Sequence, residues 1–238
     1  MRLVKLDAVG STNDFLKALA REGNIENFTV VSTENQTSGR GQMGSRWEAE
    51  PAKNLTFSVL AQNVIHHPDE IFNLNIAIAV SLINSLENCH VPNLAVKWPN
   101  DIMSGAKKIG GILIENVMKP DGEIWSVGGI GLNVNQKNFA GLPKASSMAL
   151  ACGVEFDRDQ LLRDIATVIE SNLTAPDFER LRRQYLQMLF RKNQVSAFSD
   201  GHQTFNGIIR DVDYSGKLVL ETDSETKTFS LKEIELLY

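Results

Sequence analysis

The chain has 238 residues, 42% of them hydrophobic and 22% charged, with a net charge of −5 at pH 7. That length holds one sizeable core, or a main unit with a small appendage, and the composition is that of an ordinary soluble globular protein. The acidic balance argues against a nucleic-acid surface, and no apolar run approaches the roughly 20 residues that cross a bilayer, so neither nucleic acid nor membrane is an expected partner and a cytoplasmic location is the default.

In chain order, residues 3–9 alternate as a strand, and Ser11-Thr12-Asn13-Asp14 supplies a helix start with a carboxylate three positions after Ser11. Phe15, Leu16, Leu19 and Ala20 recur at helical spacing, and Gly23 stops the helix. Residues 28–33 are β-branched and apolar, a strand that delivers the glycine-punctuated segment 36–47; residues 55–61 form another strand. Pro68 suits the first turn of a long helix whose buried face carries Ile71, Leu74, Ile78, Leu82 and Leu86. A short strand over 94–98 ends in Pro99-Asn100-Asp101. Residues 108–117 and 125–134 form two strands, and the turn residues at 119–122 predict a hairpin between them. Helices follow over 157–173 and 177–190, the first burying Leu161, Leu162, Ile165, Val168 and Ile169 and the second Leu181, Tyr185 and Leu189.

From about residue 193 the pattern changes to brief β segments at 195–198, 204–212, 217–221 and 227–231, which predict a compact barrel. The expected fold class is α+β: a central mixed or antiparallel sheet with helices on one face over residues 1–192, and a small all-β domain over 193–238.

Five clusters can carry chemistry. In the 36–47 segment, Gly39, Gly41 and Gly44 allow crowded backbone whose N–H groups can converge on an anion, Arg40 adds a planar fork and Trp47 a flat apolar face. By itself this segment also reads as an ordinary surface turn. Ser11, Thr12 and Asn13 can cap their helix or face a ligand. Lys97-Trp98-Pro99-Asn100-Asp101 places a cation, an aromatic ring, an amide and a carboxylate at one strand exit. Lys108, in Lys107-Lys108-Ile109-Gly110-Gly111, opens an apolar strand beside glycines that permit close approach, although strand-edge lysines are commonly only solubilising. Asn133 ends the glycine-rich strand Gly128-Gly129-Ile130-Gly131-Leu132-Asn133. That run is not a dinucleotide fingerprint, because no helix follows it in a βαβ unit, and no phosphate loop ending in Lys-Ser or Lys-Thr exists. His66, His67, His90 and His202 lack ligand spacing, there is no Gly-x-Ser-x-Gly elbow, and Cys89 and Cys152 read as ordinary thiols.

Taken in order, Ser11-Thr12-Asn13, Gln36, Gly39-Arg40-Gly41-x-x-Gly44-x-x-Trp47, Lys97-Trp98-Pro99-Asn100-Asp101, Lys108-x-x-Gly111-Ile112-Leu113 and Gly131-Leu132-Asn133 resemble the catalytic domain of biotin protein ligases. The resemblance covers roughly residues 1–190, and the β-rich tail is similar to the SH3-like barrel that closes these enzymes. It implies a class II aminoacyl-tRNA-synthetase-like fold and a two-step reaction. Biotin and ATP give biotinyl-5'-AMP and pyrophosphate, and biotin then passes to a lysine of a carboxylase's biotin carboxyl carrier domain. The monofunctional type is expected, without the N-terminal helix-turn-helix of longer relatives.

By the same resemblance, Ser11, Thr12, Asn13 and Gln36 would hold the biotin ureido ring, with Gly39, Arg40, Gly41, Gln42, Lys108 and Gly111 completing the biotin site. Arg40, Gly41, Gly44, Trp47, Lys97, Asn100, Lys108 and Asn133 would hold ATP and the adenylate, Asn133 touching the phosphate or its metal. Lys108, Arg40 and Asp101 would be catalytic, and Asp101 would either help hold Mg²⁺ or accept the proton of the incoming lysine. Many relatives carry arginine where this chain has Gln42 and Met43, which implies a less basic loop that loses adenylate faster. Residues 39–47 are expected to be mobile without biotin and folded over the adenylate with it. The alternatives are a lipoate or octanoate transferase, which would need an extended apolar tunnel, and a non-enzymatic binding module.

Overall fold

The structure is a computed structural model that describes residues 2–23, 25–119 and 122–238. Seven strands form the central sheet: β1 (Leu3–Val9), β2 (Val30–Gln36), β3 (Leu55–Gln62), β4 (Leu94–Lys97), β5 (Asp101–Ser104), β6 (Lys107–Met118) and β7 (Ile124–Leu132), in the order β1-β2-β3-β7-β6-β5-β4. Only β1 and β2 run parallel; every other neighbouring pair is antiparallel. β6 and β7 pair antiparallel as expected, but the turn predicted between them includes Pro120 and Asp121, which lie outside the described residues.

The helices are α1 (Thr12–Arg21), α2 (Ile71–Asn88), α3 (Met148–Cys152), α4 (Arg158–Thr174) and α5 (Phe178–Gln187). Alternation along the strands divides the core. Phe57, Val59, Ile130 and Leu132 pack with α2, α4 and α5 on one face, whereas Val31, Leu60 and Val127 pack with Leu16 and Ala20 of α1 on the other. The expected backing on one face therefore holds for α2, α4 and α5, and α1 departs from it. The N-terminal turn of α1, with Thr12 and Asn13 buried, meets the sheet where the candidate site lies.

Several boundaries moved for local reasons. β2 begins at Val30 because Phe28 sits at φ 58°, and it runs on to Gln36 because Val9 pairs with Gln36. The helix predicted over 177–190 ends at Gln187 because Val96 of β4 exchanges hydrogen bonds with the Met188 carbonyl and the Phe190 N–H, covering the sheet's outer edge. β5 was hidden by the turn signal of Asn100-Asp101, and the short α3, capped by Ser147, was also not predicted.

The tail is a five-stranded antiparallel sheet of β8 (Val195–Ser199), β9 (Thr204–Val212), β10 (Leu218–Glu221), β11 (Thr226–Phe229) and β12 (Glu235–Leu237), ordered β11-β10-β9-β8-β12. β11 and β12 are its ends, and no pairing among the described residues closes it into a barrel. Phe198, Val212, Leu218 and Leu220 share the main core, and the Trp98 indole donates to the Gly216 carbonyl at 2.9 Å. Trp98 is thus a buried fastener between the two parts, which accounts for the unusual Lys-Trp-Pro segment.

Candidate active site

Ser11 caps α1, its hydroxyl accepting from the Asp14 N–H. The next two side chains are turned into a buried network instead of solvent. The Thr12 N–H and hydroxyl both donate to Gln36 Oε1, at 2.9 and 3.2 Å. Ser58, on β3, lies 2.7 Å from the Thr12 hydroxyl and 2.6 Å from Asn13 Oδ1, and Asn13 Nδ2 donates to Glu115 of β6 at 2.7 Å. Thr12, Asn13 and Ser58 are buried, so each polar group needs these partners. Across from Ser58 and Thr56, β7 presents Gly129 and Gly131. A Cβ at Gly129 would overlap the Asn13 amide, and one at Gly131 would overlap the Trp47 indole, so both positions need glycine for close approach.

The glycine segment folds as a small hairpin. Arg40 and Arg46 bridge, Gly41 N–H donates to the Ser45 carbonyl and Trp47 N–H to the Gly39 carbonyl, around a turn at Gln42–Gly44. The Gly41 and Trp47 N–H groups are therefore engaged inside the hairpin and do not face an anion. Arg40 likewise points at carboxylates, bonding Asp14 at 2.7 Å and Glu115 at 3.3 Å. The hydrogen bond from Arg40, with Lys17 nearby, holds the Asp14 carboxyl below its usual range, and the same bond raises Arg40. Burial opposes ionisation of Glu115, but hydrogen bonds from Lys17 and Asn13 and the charges of Lys17 and Arg40 outweigh it, and its pKa is lowered. Lys232, from the tail, reaches the Met43 carbonyl at 3.4 Å.

Lys108 owes its direction to a bulge. The β5–β6 register shifts between Ile102 and Met103, leaving Ile109 as the extra residue, and this brings Lys108 onto the face of Asp101 and Gly111. Its Nζ lies 2.5 Å from Asp101 Oδ1 and 5.6 Å from the centroid of the Trp47 ring, while Lys97 Nζ lies 3.6 Å from Asp101 Oδ2. The arrangement thus joins a neutral donor–acceptor end to a cationic end. It suits a small molecule with a polar uncharged ring and an anionic tail beside a phosphate.

Residues 6–135 match the Biotin/lipoate A/B protein ligase family, and residues 194–237 match the Biotin protein ligase C terminal domain. The chain belongs to the biotin/lipoate protein ligase family. It is 32% identical to the biotin–[acetyl-CoA-carboxylase] ligase of Mycobacterium tuberculosis, covering 97% of this chain and 88% of that one. It is 29% identical to the bifunctional ligase/repressor BirA of Bacillus subtilis, covering 98% of this chain and 74% of that one. In fold it is similar to the Aquifex aeolicus biotin protein ligase solved with biotin and ATP, at a TM-score of 0.79, 24% identity, and coverage of 99% and 98% of the two chains.

Of the residues expected to serve a biotin/lipoate ligase, Ser11, Thr12, Asn13, Gln36, Arg40, Gly41 and Gln42 line one cavity of about 160 Å³ together with Trp47, Asn100, Asp101, Lys108 and Gly111. Four others do not line it. Gly39 lies behind the lining against Gln36 and the Trp47 backbone, and Gly44 sits in the hairpin turn at φ 82°. Lys97 reaches Asp101 and the Tyr238 ring. Asn133 is buried, its Nδ2 donating to the Ser146 carbonyl at 3.0 Å, which holds the segment whose Ser146 N–H bonds the Lys108 carbonyl. Asn100 lines the cavity with its amide committed to the Ile112 carbonyl.

Sequence reasoning missed Ser45, Arg46, Thr56, Gly129 and Ile130 in the lining, and Ser58 and Glu115 behind it. Signals for three existed: Thr56 and Ser58 alternate against Phe57 and Val59, and Glu115 is a lone carboxylate in an apolar strand.

Proposed function

We propose that this chain is an ATP-dependent biotin protein ligase, converting biotin and ATP to biotinyl-5'-AMP and pyrophosphate and then biotinylating a lysine of a carboxylase's carrier domain. The observation that carries this reading is the single cavity that joins the Ser11–Thr12–Asn13–Gln36 network to the Lys108–Asp101 pair. The match of the tail to a biotin protein ligase domain favours biotin over lipoate, and so does a compact polar ring site in place of a long apolar tunnel.

In the first step a biotin carboxylate oxygen forms a bond to the α-phosphorus of ATP as the bond to the leaving pyrophosphate breaks. Two unit anions 4 Å apart repel by about 4 kcal/mol in partly buried surroundings, so a cation must lie between them. Lys108 is that cation, and Asp101 aims it. In the second step the carrier amine attacks the acyl carbon, AMP departs with the bonding pair, and the amine proton passes to the Asp101 carboxylate or to water. We assign the C-terminal unit over 193–238 to closing this site from the side of Met43, and the unit over 1–192 to the chemistry. A cytoplasmic site of action belongs to the same reading; among the described residues no helix is long and apolar enough to cross a membrane.

Magnesium with ATP would neutralise the departing pyrophosphate. No cluster of three or more His, Cys, Asp or Glu residues exists among the described residues, and Lys108 and Lys97 flank Asp101. The site fits an ion carried by the nucleotide's own phosphates, with Asp101 supplying at most one protein oxygen. The test is ATP–pyrophosphate exchange run with biotin and, separately, with lipoate. Exchange with biotin alone supports the proposal; exchange with lipoate alone, or with neither, refutes it.

A further inference from the structure

Glu115 takes no part in the chemistry proposed above, yet it stands where the two halves of the site meet. Its Oε2 accepts from Asn13 Nδ2 at 2.7 Å, its Oε1 accepts from Lys17 Nζ at 2.8 Å, and both oxygens lie 3.3 Å from Arg40 Nη2. A carboxylate only accepts, and with the Leu113 carbonyl, which also accepts from Asn13 Nδ2 at 3.3 Å, it turns the amino group of Asn13 toward β6 and the carbonyl oxygen toward Ser58. The Ser58 hydroxyl donates toward Asn13 Oδ1 and the Thr12 hydroxyl, and Thr12 passes its own proton on to Gln36 Oε1. The donor and acceptor pattern offered to a ligand ring is thereby set jointly by Glu115, the one side chain of the two acceptors, and the Leu113 carbonyl.

The same carboxylate holds the hairpin. Lys17 and Glu115 are 16% and 26% exposed, whereas Arg40 and Asp14 are 43% and 49% exposed. The inner pair is therefore the permanent one and Arg40 the detachable one. Lys17 also lies 3.0 Å from Asp14, so when Arg40 leaves, neither carboxylate is stranded without a cation. Opening is cheap and closing is directed.

We infer that Glu115 is a positioning residue that couples closure of the 39–47 hairpin, through Arg40, to the orientation of the Asn13 amide in the ring site. This rests on the biotin reading only for the identity of the ring. An Asn13 amide held by ligand keeps Glu115 in place for Arg40, and a docked Arg40 keeps Glu115 in place for Asn13.

The test uses the full chain and trypsin, which cuts after Arg46 when the hairpin opens. Without ligand, Glu115→Gln and Arg40→Gln should each speed cutting at Arg46 about fivefold, the upper range for a half-exposed ion pair. Glu115→Gln should also weaken biotin binding about tenfold, the scale of a lost charged hydrogen bond. Asp14→Asn, which removes the other partner of Arg40 but keeps the Glu115–Asn13 hydrogen bond, should loosen the hairpin and weaken biotin binding less than Glu115→Gln does, because only the indirect part of the coupling is lost. Wild-type cutting in both Glu115→Gln and Arg40→Gln would overturn the latch. Faster cutting with unchanged biotin affinity in Glu115→Gln would overturn the coupling. If the wild-type chain binds no biotin the functional reading fails, and the ligand-free cutting rates still decide the latch.

Discussion

The two halves of the cavity are built in opposite ways. At the ring end, Thr12, Asn13 and Ser58 are buried and bonded to neighbours from three separate elements, so the site exists before any ligand arrives. At the phosphate end, the 39–47 hairpin bonds mostly to itself, is exposed at Met43, and touches the rest of the molecule through Arg40, Trp47 and Lys232. Recognition thus sits on rigid strands and a helix start, while enclosure is assigned to a segment whose detachment breaks few bonds. A reactive mixed anhydride needs both: a fixed geometry for activation and a cover that opens to the carrier.

The largest predicted effect strikes the cation at the phosphate end. Lys108→Ala should lower biotin-dependent pyrophosphate exchange by at least about a hundredfold, the scale of one transition-state charge contact, with biotin binding less affected. Near-normal exchange would remove Lys108 from its role. Next is the rigid half: Gly129→Ala forces a Cβ into the Asn13 amide and should raise the KM for biotin about tenfold while destabilising the fold by about 1–3 kcal/mol. Steady-state kinetics and thermal unfolding check it together, and an unchanged KM would mean that the ring end adapts.

How far the sequence alone reaches follows the same division. The ring residues Ser11, Thr12, Asn13 and Gln36 were legible because their types and order form motifs, and the strand alternation of 3–9 and 55–61 already predicted the sheet that carries them. Ser58 and Glu115 left only a polar mark in their strands, because their roles come from the β3–β7–β6 pairing, which brings residues 45 and 102 positions from Asn13 against its amide. Lys108 was found by motif, but its direction depends on a register shift that no local pattern shows. The hairpin was read as an anion cradle from its glycines. Folded, its Gly41, Ser45 and Trp47 N–H groups bond to its own carbonyls, and Arg40 binds acids of the protein. The tail's strands were visible from their turns, whereas its open ends were not, since closure depends on pairing between β11 and β12.

Smaller effects test the detachable half. Gln42→Arg restores a cation at a cavity-lining position and should slow release of biotinyl-adenylate severalfold, about the value of one partly exposed charge pair. A release rate equal to wild type removes the argument that this loop leaks. The smallest effect is one of pH. Asp14 and Glu115 have lowered values through Arg40 and Lys17, so their contribution to hairpin closure is complete above about pH 4, the ordinary carboxylate range, and falls away as pH drops through the lowered values. Tracking hairpin amide exchange between neutral and acid pH checks the sign, and closure that strengthens on acidification would contradict it.

Amide hydrogen exchange of the whole chain, with and without biotin plus ATP, compares the two halves in one experiment. The account predicts slow exchange at the start of α1 and in β3 in both states, and a gain of protection in residues 39–47 only when ligand is present. Equal protection of that hairpin in both states, or a ring end that becomes protected only on binding, would contradict it.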